Sequence, residues 1–240
     1  MMSRLDKDVN RLVGRAIEKY CLIDADDQIL IGVSGGKDSL CLSLLLWERL
    51  AFIPVRYHLT ACFIDPGFEP SPTPAIAEFF HRLDIPFVGI KTDYGLKAHS
   101  QENHENPCYL CARLRRRRLF QQAEEMGCRK IALGHNKDDI IETLFINIFY
   151  AGSISTMIPR QEFFSGKLTV IRPLALVTED QIQRWNRQKG VEPVPNPCPS
   201  AGRSRRQTVK DMLAELYRTN PKIKGNIFNA MQNVKLDYLL

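Results

Sequence analysis

The sequence lacks the long apolar runs and export signals that mark membrane and secreted proteins. Its longest strongly apolar stretch, Leu40 to Trp47, is far shorter than the roughly 20 residues that span a bilayer. The first residues, 1–8, contain no apolar core of a secretory signal. There is also no internal repeat and no low-complexity tract, which excludes solenoid and fibrous classes. We therefore expect a cytoplasmic globular protein without a membrane partner.

The sequence has one C-x-x-C pair, Cys108-Tyr-Leu-Cys111, and lacks the second pair of a four-cysteine zinc site. Alone, such a pair is ambiguous between zinc, iron–sulfur and redox chemistry. Cys198, held by flanking prolines, is a candidate third ligand, so the set suits an iron–sulfur cluster with one open iron or a three-cysteine zinc site. Without an export signal, the seven cysteines are expected to stay reduced. The remaining four are expected to be inert small hydrophobes: Cys21, Cys41, Cys62 and Cys128.

Positive charge is in modest excess, a formal +6 at neutral pH, which favours a polyanionic partner. Much of it follows the cysteines, because Arg113 and residues 115–118 come after the C-x-x-C pair. Arg203, Arg205, Arg206 and Lys210 come after Cys198. If the two cysteine segments converge, both basic runs converge beside them and can neutralise RNA phosphates. Arginines this dense point all around a helix, so about two or three of them are expected to touch RNA.

Strand and helix patterns alternate along the chain. This alternation predicts the α/β class, with a doubly wound, mostly parallel sheet of about five strands flanked by helices. Ligands of such a sheet bind at the carboxyl ends of its strands. Residues 92–107 are expected to be irregular, and helices are expected at about 205–218 and 222–236. We divide the chain into an N-terminal helical segment 1–25, a nucleotide-binding domain 26–190 that carries the C-x-x-C helix, and a C-terminal loop with helices 191–240.

The segment Ser34-Gly-Gly-Lys-Asp-Ser39 follows the apolar run 28–33 and opens an apolar helix. Its glycines let the backbone approach an anion, and the N–H groups of a helix N-terminus attract phosphate. Lys37 adds a point charge, and the serines add hydroxyls. The segment is not a Walker A loop, because that motif has a longer spacer between its glycines. The pattern predicts a nucleotide phosphate site.

A second glycine segment, Leu133-Gly-His-Asn-Lys-Asp-Asp139, follows the fourth expected strand and also opens a helix. Gly134 allows a ligand to approach the backbone. Asp138 and Asp139 lie where a helix N-terminus favours carboxylates, and they are expected to hold Mg²⁺ against pyrophosphate oxygens. A simple capping pair is the structural alternative.

The six residues 34–39 resemble the PP-loop of the N-type ATP pyrophosphatases, which bind ATP, adenylate a carbonyl-type oxygen and release pyrophosphate. Together with Cys108-Tyr-Leu-Cys111-Ala-Arg-Leu-Arg-Arg, Leu133-Gly-His-Asn-Lys-Asp-Asp-Ile-Ile-Glu-Thr-Leu and the late Pro197-Cys198, they are similar to the tRNA 2-thiocytidine synthetase family over about residues 10–215. The resemblance implies ATP, Mg²⁺ and a 4Fe–4S cluster on three cysteines as cofactors. It also implies tRNA as the partner, with sulfur installed on cytidine 32. The family often has Gly-His-His where this chain has Gly134-His-Asn.

Carried over to this sequence, the resemblance implies three groups of site residues. ATP is expected at Ser34, Gly35, Gly36, Lys37, Asp38, Ser39, Gly134, His135, Asp138 and Asp139. The cluster is expected on Cys108, Cys111 and Cys198, which form the catalytic set with Lys37 and Asp38. The tRNA is expected at Arg113, Arg115, Arg116, Arg118, Arg203, Arg205 and Arg206.

The implied reaction is ATP-dependent tRNA thiolation, in which a pyrimidine O2 is adenylated and sulfur then displaces AMP. The sulfur donor is a cysteine desulfurase or sulfide, and sulfur is carried by the cluster or as a persulfide on Cys108 or Cys111. One alternative is lysidine-type amidation, which does not require the three cysteines. Another is a metal-stabilised tRNA-binding module without catalysis, against which the intact glycine loop and Asp138-Asp139 argue. Terminal helices with apolar faces suit a homodimer or the core.

Overall fold

The computed structural model describes residues 3–200 and 205–238. It contains an α/β fold, as the sequence predicts. The strands are β1 (Asp27–Val33), β2 (Tyr57–Asp65), β3 (Phe87–Lys91), β4 (Lys130–Leu133), β5 (Arg160–Phe163) and β6 (Leu168–Ile171). The helices are α1 (Arg4–Lys19), α2 (Lys37–Arg49), α3 (Thr73–Arg82), α4 (Tyr94–Ala98), α5 (Pro107–Glu125), α6 (Lys137–Ala151), α7 (Glu179–Lys189), α8 (Arg205–Thr219) and α9 (Ile223–Ala230), followed by a 3₁₀ turn at Leu236–Tyr238.

Within the described residues, the strands form one six-stranded sheet in the order β3-β2-β1-β4-β6-β5. All neighbouring pairs are parallel except β5–β6, which is an antiparallel hairpin. Strand β1 lies between β2 and β4, so Gly32 of β1 is paired with Leu133 of β4. This register brings the segments that follow β1 and β4 to the same edge of the sheet.

Alternation along β1 divides the core between the two faces of the sheet. Ile29, Ile31 and Val33 pack on one face with the apolar residues of α1, α2, α3 and α7. Leu30 faces the opposite side and packs with Leu119 of α5. Because successive side chains of a strand point to opposite faces, this arrangement covers both faces of a parallel sheet.

Helix ends follow the capping chemistry written in the sequence. Thr178 accepts a hydrogen bond from the backbone N–H of Gln181, whose side chain returns to the backbone of Thr178, so α7 begins with a capping box. This cap is the Thr-x-x-Gln form of the motif, which the local sequence Thr178-Glu-Asp-Gln181 encodes. Gly190 ends the helix with a φ of 66°, a left-handed conformation that glycine adopts without penalty.

Three local features differ from the sequence-based expectation. Strand β5 was not expected, because Arg-Gln-Glu gives it no apolar alternation, and it exists through pairing with β6. Helix α4 interrupts the segment 92–107 that was expected to be irregular. The helix expected at 222–236 ends at Ala230, where α9 stops, and Asn233 donates its side-chain N–H to the Asn229 carbonyl.

Contacts divide the described residues into two compact units. The first contains residues 3–136 and 158–200, and therefore the whole sheet. The second contains residues 137–157 and 205–238, which form α6, α8 and α9. The segment boundaries drawn from the sequence stay a prediction. No helix among the described residues combines the length and apolar character needed to cross a bilayer.

Candidate active site at the glycine loop and the cysteine helix

The glycine loop lies at the carboxyl end of β1, the central strand, and leads directly into α2. Gly35 has a φ of 76°, a left-handed conformation that other residues rarely adopt. A Cβ at this position would lie 2.9 Å from Ile76 Cδ1. Gly36 caps α2 without any side-chain hydrogen bond to its first turn. A helix N-terminus of this kind attracts anionic ligands, and phosphate binding at this loop stays a prediction.

Two serine hydroxyls hold the loop in this shape. Ser39 Oγ accepts from the Ser34 backbone N–H at 3.2 Å and donates to the Gly36 carbonyl at 3.0 Å. Ser34 Oγ lies 3.2 Å from Ser39 Oγ and accepts from the Gly36 N–H at 3.3 Å. The serines therefore order the turn from within, in addition to offering hydroxyls to a ligand.

Lys37 begins α2 and is clamped between two carboxylates. Its Nζ lies 2.9 Å from Asp38 Oδ2 and 2.9 Å from Glu179 Oε1 of α7. Burial alone would lower the pKa of Lys37, but the Asp38 and Glu179 carboxylates outweigh it and raise that pKa above its usual value. Asn186, also on α7, donates to the Lys37 carbonyl at 2.8 Å. Lys37 is therefore a fixed cation, suited to phosphate oxygens.

Gly134 follows β4 and packs against the start of α2. A Cβ on Gly134 would lie 2.9 Å from both the Asp38 carbonyl carbon and the Ser39 nitrogen, so only glycine fits. Asn136, two positions after Gly134, donates its side-chain N–H to Asp38 Oδ1 at 3.2 Å. His135 Nδ1 lies 3.4 Å from Arg172 Nε. The two glycine segments singled out in the sequence thus meet at one edge of the sheet.

Sequence reasoning missed several polar groups at this edge. Glu179 pairs with Lys37, although nothing in its local sequence indicates that contact. Asp65 ends β2 in a buried position and accepts from Thr73 Oγ1 at 2.8 Å and from the Gly67 N–H at 2.8 Å. Burial would raise the pKa of Asp65, yet these hydrogen bonds and that of Ser71 lower it. A buried strand ending in aspartate before Pro-Gly was the available signal.

The C-x-x-C pair lies in the first turns of α5, which Asn106 caps by accepting from the Tyr109 N–H at 3.2 Å. Cys108 is exposed and Cys111 is half-buried, one turn further along. The pKa of Cys111 is raised by burial, lowered by the Arg115 guanidinium and raised by the charges of Cys198 and Cys108. The pKa of Cys111 thus responds to the charges of the other two predicted cysteines.

The loop 191–200 that carries Cys198 is tied down at both ends. The Val194 N–H donates to the Gly35 carbonyl at 2.9 Å. Ser200 Oγ lies 2.7 Å from His99 Nε2, and His99 Nδ1 lies 2.9 Å from the Gly95 carbonyl of α4. Cys198 itself donates its backbone N–H to Asn196 Oδ1 at 3.1 Å. One loop thus contacts the glycine loop and presents the third thiol.

The chemistry of this group of thiols fits an iron–sulfur cluster. Three thiols without a histidine are soft ligands. Arg115, whose charge acts on Cys111, has a buried Nε without a hydrogen-bond partner among the described residues. Such a donor is suited to the sulfides of a cluster. No group of three or more His, Cys, Asp or Glu in the described parts of the chain is placed to hold a single metal ion. A cluster differs from a single ion because each of its irons takes one cysteine.

The other cysteines lie away from this group. Cys41 and Cys62 are fully buried in the core, and burial raises the pKa of Cys41 well above its ordinary value and that of Cys62 to about 12. Burial also raises the pKa of Cys128. Cys21 is exposed in a turn after α1. Thiols that resist ionisation are poor nucleophiles and ligands, in keeping with the inert role expected for the buried three.

The arginines of α5 differ in their surroundings. Arg113 pairs with Glu105 at 2.9 Å and lies over the Tyr109 ring. Arg118 donates to Gln122 at 2.9 Å and pairs with Glu125 at 3.0 Å. Arg115 is half-buried and its charge lowers the pKa of Cys111, whereas Arg116 is exposed. The four RNA candidates on α5 are therefore not equivalent.

Asp138 and Asp139 lie in the first turn of α6, in the second unit. There Asp138 pairs with Lys224, and Asp139 pairs with Arg206 at 3.0 Å. Arg206 also contacts Glu142 at 3.1 Å, and burial raises the pKa of that carboxyl while Arg206 lowers it. Arg205 lies over the Tyr150 ring at 4.7 Å. Arg203 lies outside the described residues, so its RNA role stays a prediction.

The fold and the glycine loop define a class. The family model for a PP-loop domain matches residues 5–215, so the chain is a PP-loop protein. Two solved structures share the fold. One is the U34-tRNA thiolase NcsA from Methanococcus maripaludis with its 4Fe–4S cluster, 24% identical over 98% of this chain and 80% of that chain, with a TM-score of 0.80. The other is an NH3-dependent NAD synthetase from Campylobacter jejuni. It is 12% identical over 99% of this chain and 95% of that chain, with a TM-score of 0.56.

Curated relatives narrow the class further. A tRNA-cytidine(32) 2-sulfurtransferase from Geotalea daltonii is 40% identical over 98% of this chain and 95% of its own length. One from Alkalilimnicola ehrlichii is 38% identical over 99% of this chain and 76% of its own length. The chain belongs to the tRNA-cytidine(32) 2-sulfurtransferase family of PP-loop enzymes, and the family resemblance drawn from the sequence is confirmed.

Proposed function

We propose that this protein thiolates tRNA in an ATP-dependent reaction, replacing O2 of cytidine 32 with sulfur. The observation that carries the proposal is the loop 191–200. Val194 of this loop is hydrogen-bonded to Gly35 of the glycine loop, and Cys198 follows four positions later. An extended chain spans at most about 3.6 Å per residue, so the thiol group and the ATP site are neighbours. An adenylated base made at one is within reach of sulfur held at the other.

The first half-reaction takes place at the glycine loop. The N-terminus of α2 and Lys37 bind the phosphates of ATP, and O2 of the cytidine attacks the α-phosphate. The bond from the α-phosphorus to the bridging oxygen breaks, and pyrophosphate leaves. Lys37 has a raised pKa and two carboxylate partners, so it stays charged and in position throughout.

In the second half-reaction, sulfur attacks C2 of the base, the C2–O2 bond breaks and AMP leaves with the oxygen. Cys108, Cys111 and Cys198 would hold a 4Fe–4S cluster, which supplies an iron without a protein ligand where sulfide can bind. Burial raises the pKa of Cys111, and the Arg115 guanidinium offsets part of that rise, which supports Arg115 as a counter-charge for the thiolate that a cluster needs. The sulfur comes from a cysteine desulfurase or from sulfide.

We assign Mg²⁺ to Asp138 and Asp139, whose carboxylates would have to exchange Lys224 and Arg206 for the metal. The pairing of each carboxylate with a cation supports an anionic site that needs a counter-charge. The basic residues of α5 and α8 supply phosphate contacts for tRNA, which is the polyanionic partner favoured by the net charge. We place the enzyme in the cytoplasm, where tRNA is modified, with a homodimer as its proposed assembly.

The proposal is tested by anaerobic reconstitution with iron and sulfide, followed by thiolation of tRNA and mass spectrometry of its nucleosides. Wild type and the surface variant Lys91→Ala should form 2-thiocytidine and release one pyrophosphate per thiolation. Lys37→Ala should bind tRNA but form no product. Formation of a lysine adduct on the base, or thiolation that does not need ATP, would overturn the proposal.

A further inference from the structure

An open groove lies between α5 and the hairpin of β5 and β6, away from the glycine loop. The volume of the groove is about 840 Å³, which is within the range of roughly 300–1,000 Å³ typical of small-ligand sites. Five cationic side chains and one carboxylate line it, namely Arg113, Arg116, Arg117, Arg129, Lys167 and Glu124. Phe120 and Phe164 supply its apolar surface. We call it the hairpin groove.

Of the five cations that line the hairpin groove, Arg113 pairs with Glu105, and the other four have no carboxylate partner among the described residues. In the described part of the chain, Arg116, Arg117, Arg129 and Lys167 form no ion pair with a carboxylate. All four side chains are exposed. Burial lowers the pKa of Arg172 to about 10, and repulsion by the charge of Arg116 adds to the shift. The groove is therefore complementary to an anion.

The hairpin tip presents an aromatic ring in a costly backbone conformation. Phe164, Ser165 and Gly166 have φ angles of 53°, 55° and 82°. Turn residues at positive φ are normally Gly, Asn or Asp, and a bulky residue in this conformation is a genuine outlier. The Phe164 ring is nevertheless 63% exposed and packs edge-on to Phe120, with ring centroids 6.0 Å apart. Because the strained backbone at Phe164 does not bury its ring, this residue is better explained by a role in binding than by a role in stabilising the fold.

We propose that the hairpin groove binds an unpaired nucleotide of the RNA substrate, with the base stacked on Phe164 and the flanking phosphates paired with Arg116, Arg117 and Lys167. A flat exposed ring flanked by cations is the arrangement that binds single-stranded nucleic acid. An acidic peptide would use the cations but would leave the ring without a stacking partner. The inference rests on the proposed function, because it names where that substrate is held.

The hairpin groove is placed to bind a nucleotide that lies near the modified base in the RNA chain. Arg116 follows Cys111 by five positions on α5, which corresponds to about 8 Å along the helix axis. Arg113, closer to the thiols, lines the near end of the groove. RNA whose target base reaches the three thiols would pass the groove within a short distance, so a nucleotide held there fixes the register of the loop.

The experiment uses tRNA that carries 2-aminopurine at one unpaired position of the anticodon loop, with each position tested in turn. This base analogue loses fluorescence when it stacks on an aromatic ring. With wild-type protein, at least one position should be quenched on binding. Phe164→Ala should remove that quenching and weaken tRNA binding by about tenfold. Phe52→Ala removes a ring of comparable exposure elsewhere, 55% against 63%, and should change neither the quenching nor the affinity.

A charge-matched pair tests the phosphate contacts. The double variant Arg116→Glu, Arg117→Glu should reduce the slope of log K against log salt by about 2, one for each lost contact. Arg15→Glu with Arg82→Glu makes the same change of net charge on exposed helix positions outside the groove and should leave the slope nearly unchanged. Equal slopes in the two double variants would overturn the proposal.

Measuring the melting temperature of Phe164 variants distinguishes a loss of tRNA binding from a loss of folding. Phe164→Gly removes the unfavourable positive φ, so its melting temperature should stay within about 3 °C of wild type or rise, while tRNA affinity falls. If wild type binds and thiolates tRNA but Phe164→Ala and Phe164→Gly bind it as tightly as wild type, the groove proposal fails and the proposed function stands. If wild type binds no tRNA, the proposed function fails first. Tighter binding of poly-glutamate than of oligouridine would also overturn the nucleotide assignment.

Discussion

The glycine loop and the group of three thiols lie in the same unit but are built in different ways. The glycine loop is local, because six consecutive residues between β1 and α2 supply its shape, and Gly134 closes it by backbone contact. The three thiols come from the start of α5 and from the distant loop 191–200, which single hydrogen bonds hold in place. A site formed by one segment keeps its shape when a distant residue is removed. A site formed by two segments depends on the contacts that hold those segments together.

The first way to test this contrast is to remove one thiol. Cys111→Ala should abolish cluster formation and tRNA thiolation, because three ligands are the minimum for a cluster with one open iron. ATP binding at the glycine loop should be unchanged, since no atom of Cys111 shapes that loop. The measurements are iron content after anaerobic reconstitution, 2-thiocytidine formation and ATP affinity.

Cys21→Ala removes an exposed thiol outside the group and should keep full iron content and activity. If Cys111→Ala also lost ATP binding, the two sites would be one structural unit, and the contrast drawn above would be wrong.

The second prediction attacks the glycine loop. Gly134→Ala introduces a Cβ 2.9 Å from backbone atoms of Asp38 and Ser39, which cannot move aside as a side-chain tip can. We expect a loss of about 1–3 kcal/mol in the free energy of unfolding and weakened ATP binding, with iron uptake by the thiols retained. Denaturant unfolding and ATP titration measure these effects.

Gly225→Ala is the matched control, because a Cβ built there meets no described atom within 4 Å apart from its chain neighbours and the backbone of its own helix. Gly225 lies within α9, so this change should raise stability by about 0.5–1 kcal/mol. A Gly134→Ala protein as stable as wild type, with normal ATP affinity, would show that the close approach of the two segments is not required.

The third prediction concerns the contact that joins the segments of the thiol group. His99→Ala removes the hydrogen bond to Ser200 and frees one end of the loop that carries Cys198. Loss of such a supporting partner typically weakens metal retention by roughly tenfold or more, so the cluster should be lost faster to a chelator. His81→Ala, an exposed histidine of α3, serves as the control and should lose iron at the wild-type rate. Equal rates for both variants would show that other contacts hold the loop.

Local patterns explain which parts of this molecule could be predicted from its sequence. The glycine loop, the cap at Thr178 and the parallel sheet depend on neighbouring residues and strand–helix alternation, so the sequence predicts them well. The partner of Lys37 is Glu179, far away in the chain, and nothing in its local sequence indicates that contact. Strand β5 is equally hidden, because its polar residues become a strand only beside β6. Contacts between distant segments depend on the assembled fold rather than on local propensity.

The smallest expected effect is a change in pH dependence at the glycine loop. Asp38 and Glu179 raise the pKa of Lys37 above its ordinary value of 10.5 against the opposing effect of burial. The cation is therefore fully charged below pH 10.5, and its contribution to ATP binding is lost only as the pH rises through the raised pKa. Glu179→Gln removes one of the two carboxylates, so the pKa of Lys37 falls and ATP affinity should decline at a lower pH than in wild type. Below about pH 9 the two proteins should bind ATP alike, because Lys37 is protonated in both.

Titration of ATP binding from neutral to alkaline pH measures the shift, with circular dichroism to follow folding. Glu78→Gln, on the exposed side of α3, is the control. Superimposed curves for Glu179→Gln and wild type would mean that Asp38 alone holds the charge of Lys37, and weaker binding already at neutral pH would mean that Glu179 positions Lys37 rather than tuning its pKa.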